Sequence, residues 1–286
     1  MWLAYAIGSA LFAGMTSILA KIGIKNTDSN LATALRTVIV LLFSWIMVFI
    51  AGSQSTITSI SAQSLLFLIL SGAATGASWL SYFKALQLGD VNKVTPIDKS
   101  STILTILLAF IILRETPSLW AVYGVMLLAI GTYFMIQRQT TDSSDNKSRA
   151  WFFYAVLSAL FAALTAIFGK IGLQGIESNL GTAIRTIVVL VIAWGVVFLQ
   201  KKQQLIKDIE RKSWVFIALS GLATGLSWLC YYRALQEGKA SVVVPIDKLS
   251  IVVTVAFSYF FLQEKLSRKA FIGLLFIISG TMLLLF

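Results

Sequence analysis

Long apolar stretches separated by short polar clusters dominate the chain. A hydrocarbon core about 30 Å thick is crossed by a helix of about 20 apolar residues. Ten stretches meet this requirement, and we predict an all-α integral membrane protein with ten transmembrane helices. The predicted spans are roughly 2–20, 31–51, 64–88, 94–113, 117–136, 151–169, 180–199, 214–236, 241–262 and 268–286.

The chain contains two copies of one five-helix unit. At an offset of 149, residues 2–137 align with 151–286 without a gap, and about 58 of the 136 aligned positions are identical. SGAATGASWL recurs as SGLATGLSWL, and PIDKSS recurs as PIDKLS. We therefore divide the chain into a first repeat at 1–137, a linker at 138–149 and a second repeat at 150–286.

Because five is odd, two copies joined by a short linker cross the membrane in opposite directions. Short cytoplasmic loops collect Lys and Arg. Fourteen basic residues fall on one predicted side against three on the other, and six lie inside the spans. The equivalent loops 52–63 and 201–212 carry none and five. These counts predict two inverted five-helix repeats in the cell (inner or plasma) membrane, with both termini outside and the linker in the cytoplasm.

Composition narrows the possible functions. The chain is 58% hydrophobic and 12% charged, whereas a soluble domain carries about 25% charged residues. This composition predicts a lipid bilayer as partner and no nucleic acid, despite the net charge of +11. With no His and only Cys230, we expect no metal, no cofactor and no His-based catalysis. An intramembrane enzyme would need clustered acids such as D-x-x-x-D, which the spans lack.

The motifs resemble the drug/metabolite transporter superfamily, and specifically two EamA-type units in tandem. The resemblance rests on the small-residue third span that ends in Tyr-x-(Lys/Arg)-Ala-Leu at 82–86 and 231–235, on the PIDK segments, and on the Leu-x-Glu turns at 113–115 and 262–264. The unit is similar to bacterial and archaeal members that occur as single five-helix proteins. This resemblance implies a ten-helix, inverted-repeat carrier of small metabolites that works without ATP hydrolysis.

Ionisable residues inside predicted spans are candidate functional groups, because each costs about 2.5–3.5 kcal/mol on insertion scales. They come in equivalent pairs, three cations and one acid per repeat. The pairs are Asp98 with Asp247, Lys99 with Lys248, Lys84 with Arg233 and Arg36 with Arg185, while Lys21 and Lys170 end the first and sixth spans.

Asp98 and Asp247 have two interpretations. The segment TPID either caps a helix start or carries a functional acid. Val244 replaces the capping Thr in the second copy while Asp247 is retained, which favours the functional interpretation. We expect the two acids to form alternating gates on either side of a midplane site. Their expected ion partners are Lys84 for Asp98 and Arg233 for Asp247.

The remaining candidates have structural alternatives. Lys21 and Lys170 either have a structural role, as snorkelling side chains or in gate ion pairs, or belong to the binding site. Arg36 and Arg185 either bond loop carbonyls or face the site. Four aromatic side chains either form an interfacial belt or line a cavity; they are Trp79, Tyr82, Trp228 and Tyr231. Four polar residues are interpreted as helix-start caps; they are Asn30, Thr33, Asn179 and Thr182.

The sequence favours a secondary transporter that works by alternating access. Six cations against two acids in the spans favour an anionic or zwitterionic small molecule, which is amino-acid-like, carboxylated or phosphorylated. Two alternatives stay open: an exporter of cationic or amphipathic drugs coupled to protons through Asp98 and Asp247, and a non-transporting scaffold. The coupling ion, a proton or another ion, stays open as well. Two repeats in one chain predict a monomer or a weak homodimer.

Overall fold

The computed structural model describes residues 2–112, 118–135, 147–237, 243, 246, 247, 249–263 and 266–283. No strand occurs among these residues. The α-helices are α1 Trp2–Gly23, α2 Ser29–Ala51, α3 Ala62–Leu88, α4 Val91–Lys99, α5 Ser101–Ile112, α6 Leu119–Met135, α7 Lys147–Gly172, α8 Ser178–Leu199, α9 Arg211–Glu237, α10 Ser250–Phe257 and α11 Arg268–Leu283. Two 3-10 helices, Ser53–Ser59 and Lys202–Asp208, follow α2 and α8, and the π-helix Ser258–Leu262 follows α10.

Six of the described helices are long and apolar enough to cross a membrane. They are α1, α2, α3, α8 and the segments Ala150–Gly172 of α7 and Arg211–Tyr231 of α9. Val122–Met135 and Ser250–Leu262 are shorter apolar helices within the fifth and ninth predicted spans. This pattern is that of a multi-pass membrane protein. The expectation of one helix over 94–113 is wrong, because the described residues 91–112 form two helices, α4 and α5, on either side of Ser100.

The break at Ser100 recurs in the second repeat. Ser100 shares its N–H between Pro96 O at 3.0 Å and Ile97 O at 3.1 Å, and its equivalent, Leu249, donates to Ile246 O at 3.0 Å. The bonds to Ile97 and Ile246 each span three residues. These i to i+3 bonds tighten the chain into a 3-10 turn. The backbone angles nearly coincide, φ −63° and ψ −14° at Ser100 against φ −63° and ψ −9° at Leu249. Since a serine and a leucine adopt the same turn, the side chain at this position does not determine the backbone conformation.

Each repeat packs chiefly against the other. In the first repeat, α1 lies against α9 and α3 lies against α7, and these two pairs are equivalent under the 149-residue offset. In addition, α2 lies against α8 and α6 against α11, so two helices of the first repeat contact their own duplicates. The core is therefore built between the repeats rather than within each of them.

The duplicate helices α2 and α8 run antiparallel where they meet. Leu31, near the start of α2, shares a buried cluster with Val197, near the end of α8. At the other end, Val48 of α2 shares a cluster with Leu180 of α8. The large exposed apolar side chains of these helices face outward, as lipid-facing residues do, and include Leu42, Ile46, Phe49, Val191 and Phe198.

Glycines bring the second duplicate pair, α6 and α11, into backbone contact. A Cβ on Gly131 would lie 2.6 Å from Gly273 O, and a Cβ on Gly280 would lie 2.7 Å from Gly124 O. Gly131 and Gly280 are equivalent, as are Gly124 and Gly273. Small residues permit such a close crossing, and the order of the contacts shows that these helices are also antiparallel.

The small residues of the third predicted span, at 71–78, and their equivalents at 220–227 pack against the other repeat. A Cβ on Gly72 would lie 2.7 Å from Arg185 O, and a Cβ on its equivalent Gly221 would lie 3.2 Å from Arg36 O. The stripes of α3 and α9 therefore hold the arginine-bearing turns of α8 and α2 at short range.

Candidate functional site

Arg36 is a buried cation that is held by neutral groups. Its side chain is 1% exposed. Nε donates to Ser220 Oγ at 2.8 Å and Nη2 donates to Thr224 Oγ1 at 2.7 Å, while Nη1 has no hydrogen-bond partner among the described residues. Among the described side chains, no carboxylate forms an ion pair with it. Because a guanidinium stays protonated in proteins, a positive charge is buried here without a described negative one.

Arg185 makes an equivalent hydrogen bond in the second repeat. It is also 1% exposed, and its Nη2 donates to Thr75 Oγ1 at 3.0 Å. Thr75 is the equivalent of Thr224, so each arginine bonds a threonine on the third helix of the opposite repeat. The alternative in which these arginines bond loop carbonyls is wrong for Arg36, because its bonds go to hydroxyls inside α9.

Aromatic rings connect the two arginines. The guanidinium carbon of Arg36 lies 3.9 Å from the ring centroid of Phe83 and 5.8 Å from that of Trp79. The guanidinium carbon of Arg185 lies 4.9 Å from the ring centroid of Trp228. Trp79 and Trp228 meet edge to face, with centroids 5.8 Å apart. Cation–π contacts of this kind stabilise a buried cation, and an interfacial belt does not account for them.

Tyr82 is buried, which also disagrees with a belt position. It is 8% exposed, and its hydroxyl lies 2.8 Å from Ser17 Oγ and 3.4 Å from Thr95 Oγ1. These hydroxyls join α1, α3 and α4. Its equivalent, Tyr231, is half-buried and packs against the cluster that contains Ala6.

Asp98 and Asp247 each accept a hydrogen bond from the opposite repeat. Ser158 Oγ donates to Asp98 Oδ1 at 2.7 Å, and Ser9 Oγ donates to Asp247 Oδ1 at 2.6 Å. Ser9 and Ser158 are equivalent positions of α1 and α7. The two acids therefore connect the repeats through two equivalent hydrogen bonds.

The expected ion pairs of these acids are wrong. Lys84 Nζ donates to Gln87 Oε1 at 2.8 Å rather than to Asp98, and the bond of Asp247 goes to a serine rather than to Arg233, which is exposed. The physical reason is the packing between repeats, which brings a serine of α1 or α7 closer to each acid than the cation of its own repeat.

The helix-cap interpretation of TPID is wrong as well. α4 begins at Val91, so Pro96 and Asp98 are its sixth and eighth residues and lie inside the helix. The side chain of Lys99, and Lys248 as a whole, lie outside the described residues, and their expected roles stay predictions.

Lys21 bonds the end of a neighbouring helix. Its Nζ donates to Leu86 O and Gly89 O, which are carbonyls at the C-terminus of α3. Free carbonyls and the partial negative charge of a helix C-terminus both favour a cation there. Its equivalent, Lys170, is exposed.

The predicted helix caps are wrong at both arginine-bearing helices. Asp28 caps α2 by accepting from Asn30 N–H and Leu31 N–H at 3.0 and 3.1 Å. Glu177 caps α8 by accepting from Leu180 N–H at 3.0 Å. Thr33 and Thr182 instead donate their hydroxyls to the carbonyl four residues earlier. The reason is position: α2 begins at Ser29 and α8 at Ser178, so the four predicted residues lie inside the helices rather than before them.

A cleft of about 290 Å³ lies where the starts of α2 and α7 approach the ends of α3 and α8. Both repeats line it, with Asn30, Leu80, Ser81, Lys84, Tyr154, Gln200 and Lys202. We call this end of the bundle the cleft end. The sequence singled out only Lys84 as a binding residue here and assigned Asn30 to a cap. The comparison of the two repeats could have identified two more lining residues, because Asn30 and Tyr154 are each identical to the equivalent residue of the other repeat.

A polar clasp borders this cleft and joins the turn before α2 to the turn after α8. Lys202 Nζ lies 2.6 Å from Asp28 Oδ2 as an ion pair. Asn30 Nδ2 donates to Gln200 Oε1 at 2.8 Å. A third bond runs from Asn26 Nδ2 to Glu210 Oε1 at 3.2 Å.

The model of the EamA-like transporter family matches the chain twice, over residues 1–137 and 149–286. An uncharacterized transporter in the cobO 3′ region of a Sinorhizobium species is 48% identical over 137 residues, which are 48% of this chain and 97% of that relative. An uncharacterized protein of Methanocaldococcus jannaschii is 33% identical over 129 residues, which are 45% of this chain and 91% of that relative. Both relatives are therefore about as long as one repeat.

Longer matches are more distant. An uncharacterized transporter of Archaeoglobus fulgidus is 24% identical over 72% of this chain and 70% of its own. A solved crystal structure of another protein aligns with a TM-score of 0.69 at 15% identity, over 97% of this chain and 94% of that one. This alignment shows that the two proteins share a fold.

Proposed function

Since the chain belongs to the EamA-like transporter family, we propose that it is a secondary transporter that moves a small anionic or zwitterionic solute by alternating access. Family membership confirms the resemblance drawn from the motifs and identifies a multi-pass membrane transporter. The proposal adds the solute class, the mechanism, and a location in the cell membrane as a monomer or weak homodimer with both termini outside.

Two buried arginines support an anionic or zwitterionic solute. Arg36 and Arg185 are each 1% exposed, and within the described part of the chain Arg36 contacts hydroxyls and ring faces. A buried charge is costly unless it is paired, and Nη1 of Arg36 is a donor that has no acceptor among the described residues. A carboxylate or phosphate supplies both the negative charge and the hydrogen-bond acceptor, since these groups bind guanidinium by two parallel bonds. An amino-acid-like, carboxylated or phosphorylated metabolite fits this site.

The mechanism follows from how the repeats pack. Antiparallel contacts between α2 and α8, and between α6 and α11, support a ten-helix inverted-repeat topology. In that topology the Asp98–Ser158 and Asp247–Ser9 bonds belong to opposite ends of the bundle. We assign them as two gates whose alternate breaking exposes the arginines to one side at a time.

A second candidate is an exporter of cationic or amphipathic drugs that exchanges them for protons at Asp98 and Asp247. One observation favours it. Both acids are held by a serine hydroxyl, which donates to a carboxylate and accepts from a carboxylic acid, so the bond fits either protonation state. Both candidates share the gates and differ in the charge of the cargo.

Uptake by proteoliposomes distinguishes the anionic-solute carrier from the cationic-drug exporter. Purified protein is reconstituted and offered radiolabelled amino acids, dicarboxylates, sugar phosphates and a quaternary ammonium dye, with and without a pH gradient. We expect saturable uptake of an anionic or zwitterionic solute that Arg36→Gln abolishes. Uptake confined to the quaternary cation and driven by the pH gradient would support the exporter. Folded protein that moves none of these solutes would favour a scaffold.

A further inference from the structure

Two lysines line the cleft, and they have different partners. Lys202 Nζ lies 2.6 Å from Asp28 Oδ2, so a carboxylate offsets its charge. Lys84 Nζ donates to the uncharged Gln87 Oε1 at 2.8 Å, and no carboxylate in the described part of the chain pairs with it. Lys84 lies in α3, which is long and apolar enough to cross a membrane. Since a cation in such a helix favours a negatively charged partner, the cleft has a positive charge that the described residues leave uncompensated.

Hydrogen-bond donors surround this charge. Asn30 and Gln200 are joined by one bond from Nδ2 to Oε1, so the amide nitrogen of Gln200 is a further donor. Ser81 and Tyr154 add hydroxyl groups. The described lining therefore contains two ammonium, two amide and two hydroxyl groups, one apolar side chain and no carboxylate. This set suits an anion with several acceptor oxygens, because hydrogen bonds to a charged acceptor are stronger than those to a neutral one.

The cleft is distinct from the arginine site. Arg36 donates to Ser220 and Thr224 of α9, and neither of these residues is part of the cleft lining. The side chain of Lys202 is 30% exposed, whereas both arginines are 1% exposed. An anion that arrives from solution at the cleft end therefore meets the lysines before it meets an arginine.

Resting on the carrier function proposed above, we propose that the cleft is an initial binding site for the phosphate or carboxylate group of the solute, held between Lys84 and Lys202. Lys84 supplies the uncompensated charge. Lys202 changes partner, since an anion in the cleft competes with Asp28 for its ammonium group, which is a compact charge on a flexible stem. Asp28 caps α2 through Oδ1 and pairs with Lys202 through Oδ2, so the cap does not depend on the ion pair.

Three substitutions test this assignment in opposite directions. Lys202→Ser introduces the residue that the first repeat carries at the equivalent position, Ser53. Lys207→Ser is its matched control, because it removes the same charge from an exposed position of the same 3-10 helix that is not part of the lining. Asp28→Asn removes the competing carboxylate and retains a helix cap, since Asn is among the preferred N-cap residues.

Inorganic phosphate is the probe. The full-length protein in phosphatidylcholine nanodiscs is unfolded thermally in increasing phosphate, with the ionic strength held constant by sodium chloride. A ligand of the folded state raises its apparent stability with a concentration dependence that gives the affinity. We expect Lys202→Ser and Lys84→Gln to weaken phosphate binding about threefold to fivefold, the upper range for a partly exposed charge contact. Asp28→Asn is expected to strengthen it, and Lys207→Ser to leave it unchanged.

Two results would overturn the cleft site. One is the absence of a saturable effect of phosphate on the wild-type protein. The other is an equal change in Lys202→Ser and Lys207→Ser, because a general electrostatic effect of the basic segment predicts that equality. Nanodiscs that contain phosphatidylglycerol distinguish a soluble anion from a lipid headgroup. If this lipid abolishes the response to phosphate, the cleft holds a headgroup and its role in solute binding is overturned; an unchanged response supports a soluble ligand.

Uptake by proteoliposomes makes this proposal and the carrier function fail differently. Arg36→Gln is expected to abolish uptake and to retain the response to phosphate, whereas Lys202→Ser is expected to raise KM at the cleft face with the maximal rate retained. Uptake of an anionic solute without any effect of Lys84→Gln or Lys202→Ser would overturn the cleft site and leave the carrier function standing. A phosphate response that depends on both lysines, with no uptake of any solute, would overturn the carrier function and leave the anion site standing.

Discussion

Trp79 and Trp228 are the same position in the two repeats and touch each other, edge to face, with ring centroids 5.8 Å apart. A contact between a residue and its own duplicate marks where a pseudo-two-fold axis passes, as in an isologous dimer interface. Arg36 and Arg185 lie against these rings from the two sides. The candidate site is therefore symmetric at its centre, and each repeat supplies one cation to it.

Replacing Asp98 or Asp247 with Asn is expected to lower transport about tenfold or more, because a hydrogen bond to a charged group contributes about 1.5–3 kcal/mol and tenfold corresponds to about 1.4 kcal/mol. The amide oxygen still accepts from the serine, so the folded state is retained. Initial uptake rates and thermal unfolding of the same samples check this. Asp90→Asn is the matched control, since that acid is exposed and pairs with Lys93 at the surface. Equal loss in Asp90→Asn would contradict the gate assignment.

Removing the hydroxyl partners of Arg36 is expected to destabilise the protein. Thr224→Val leaves Nη2 without the acceptor it has at 2.7 Å, and loss of a bond to a charged group costs about 1.5–3 kcal/mol. Equilibrium unfolding in detergent measures the loss. Thr105→Val is the control, because that hydroxyl bonds only a carbonyl of its own helix. If both variants unfold at the same denaturant concentration, Thr224 does not hold the arginine.

Gly131→Ala is expected to cost about 1–3 kcal/mol, as overpacking of a filled interior does. The added Cβ would lie 2.6 Å from a backbone carbonyl, Gly273 O, and a backbone atom cannot rotate away. Gly195→Ala is the matched control with open space around the Cβ, and alanine there is expected to stabilise its helix by up to about 1 kcal/mol. Thermal unfolding of the two variants side by side is the measurement. A neutral Gly131→Ala would mean that α6 and α11 do not cross this closely.

The inverted orientation of the repeats is open to a direct test. Ser55 and Gln204 are equivalent, both are exposed, and each lies in a 3-10 helix. In a Cys230→Ser background, Ser55→Cys is expected to react with an impermeant maleimide on intact cells, and Gln204→Cys only after the membrane is opened. The basic residues around Gln204 predict a cytoplasmic location for it. Reaction of both cysteines on intact cells would contradict inverted repeats.

Several features of the site can be predicted from the sequence, because they repeat at a fixed offset. Asp98 and Arg36 lie in predicted spans and have duplicates, and the cost of an ionisable group in a membrane is enough to identify them as functional candidates. The partners of these residues cannot be predicted in this way. Lys84 is the cation of the preceding span in the same repeat, yet Asp98 bonds Ser158 of the other repeat. Proximity in sequence is misleading here because the helices of the two repeats interdigitate.

The sequence by itself determined the class of protein, the two repeats and the family, since hydropathy and internal identity are properties of the chain read in order. The tertiary structure alone decided which side chains meet. It set Arg36 against Ser220, placed Asp98 inside α4 rather than at its start, and assembled one cleft from α2, α3, α7 and α8. Contacts between antiparallel helices of different repeats join positions far apart along the chain, and no local pattern of residues records them.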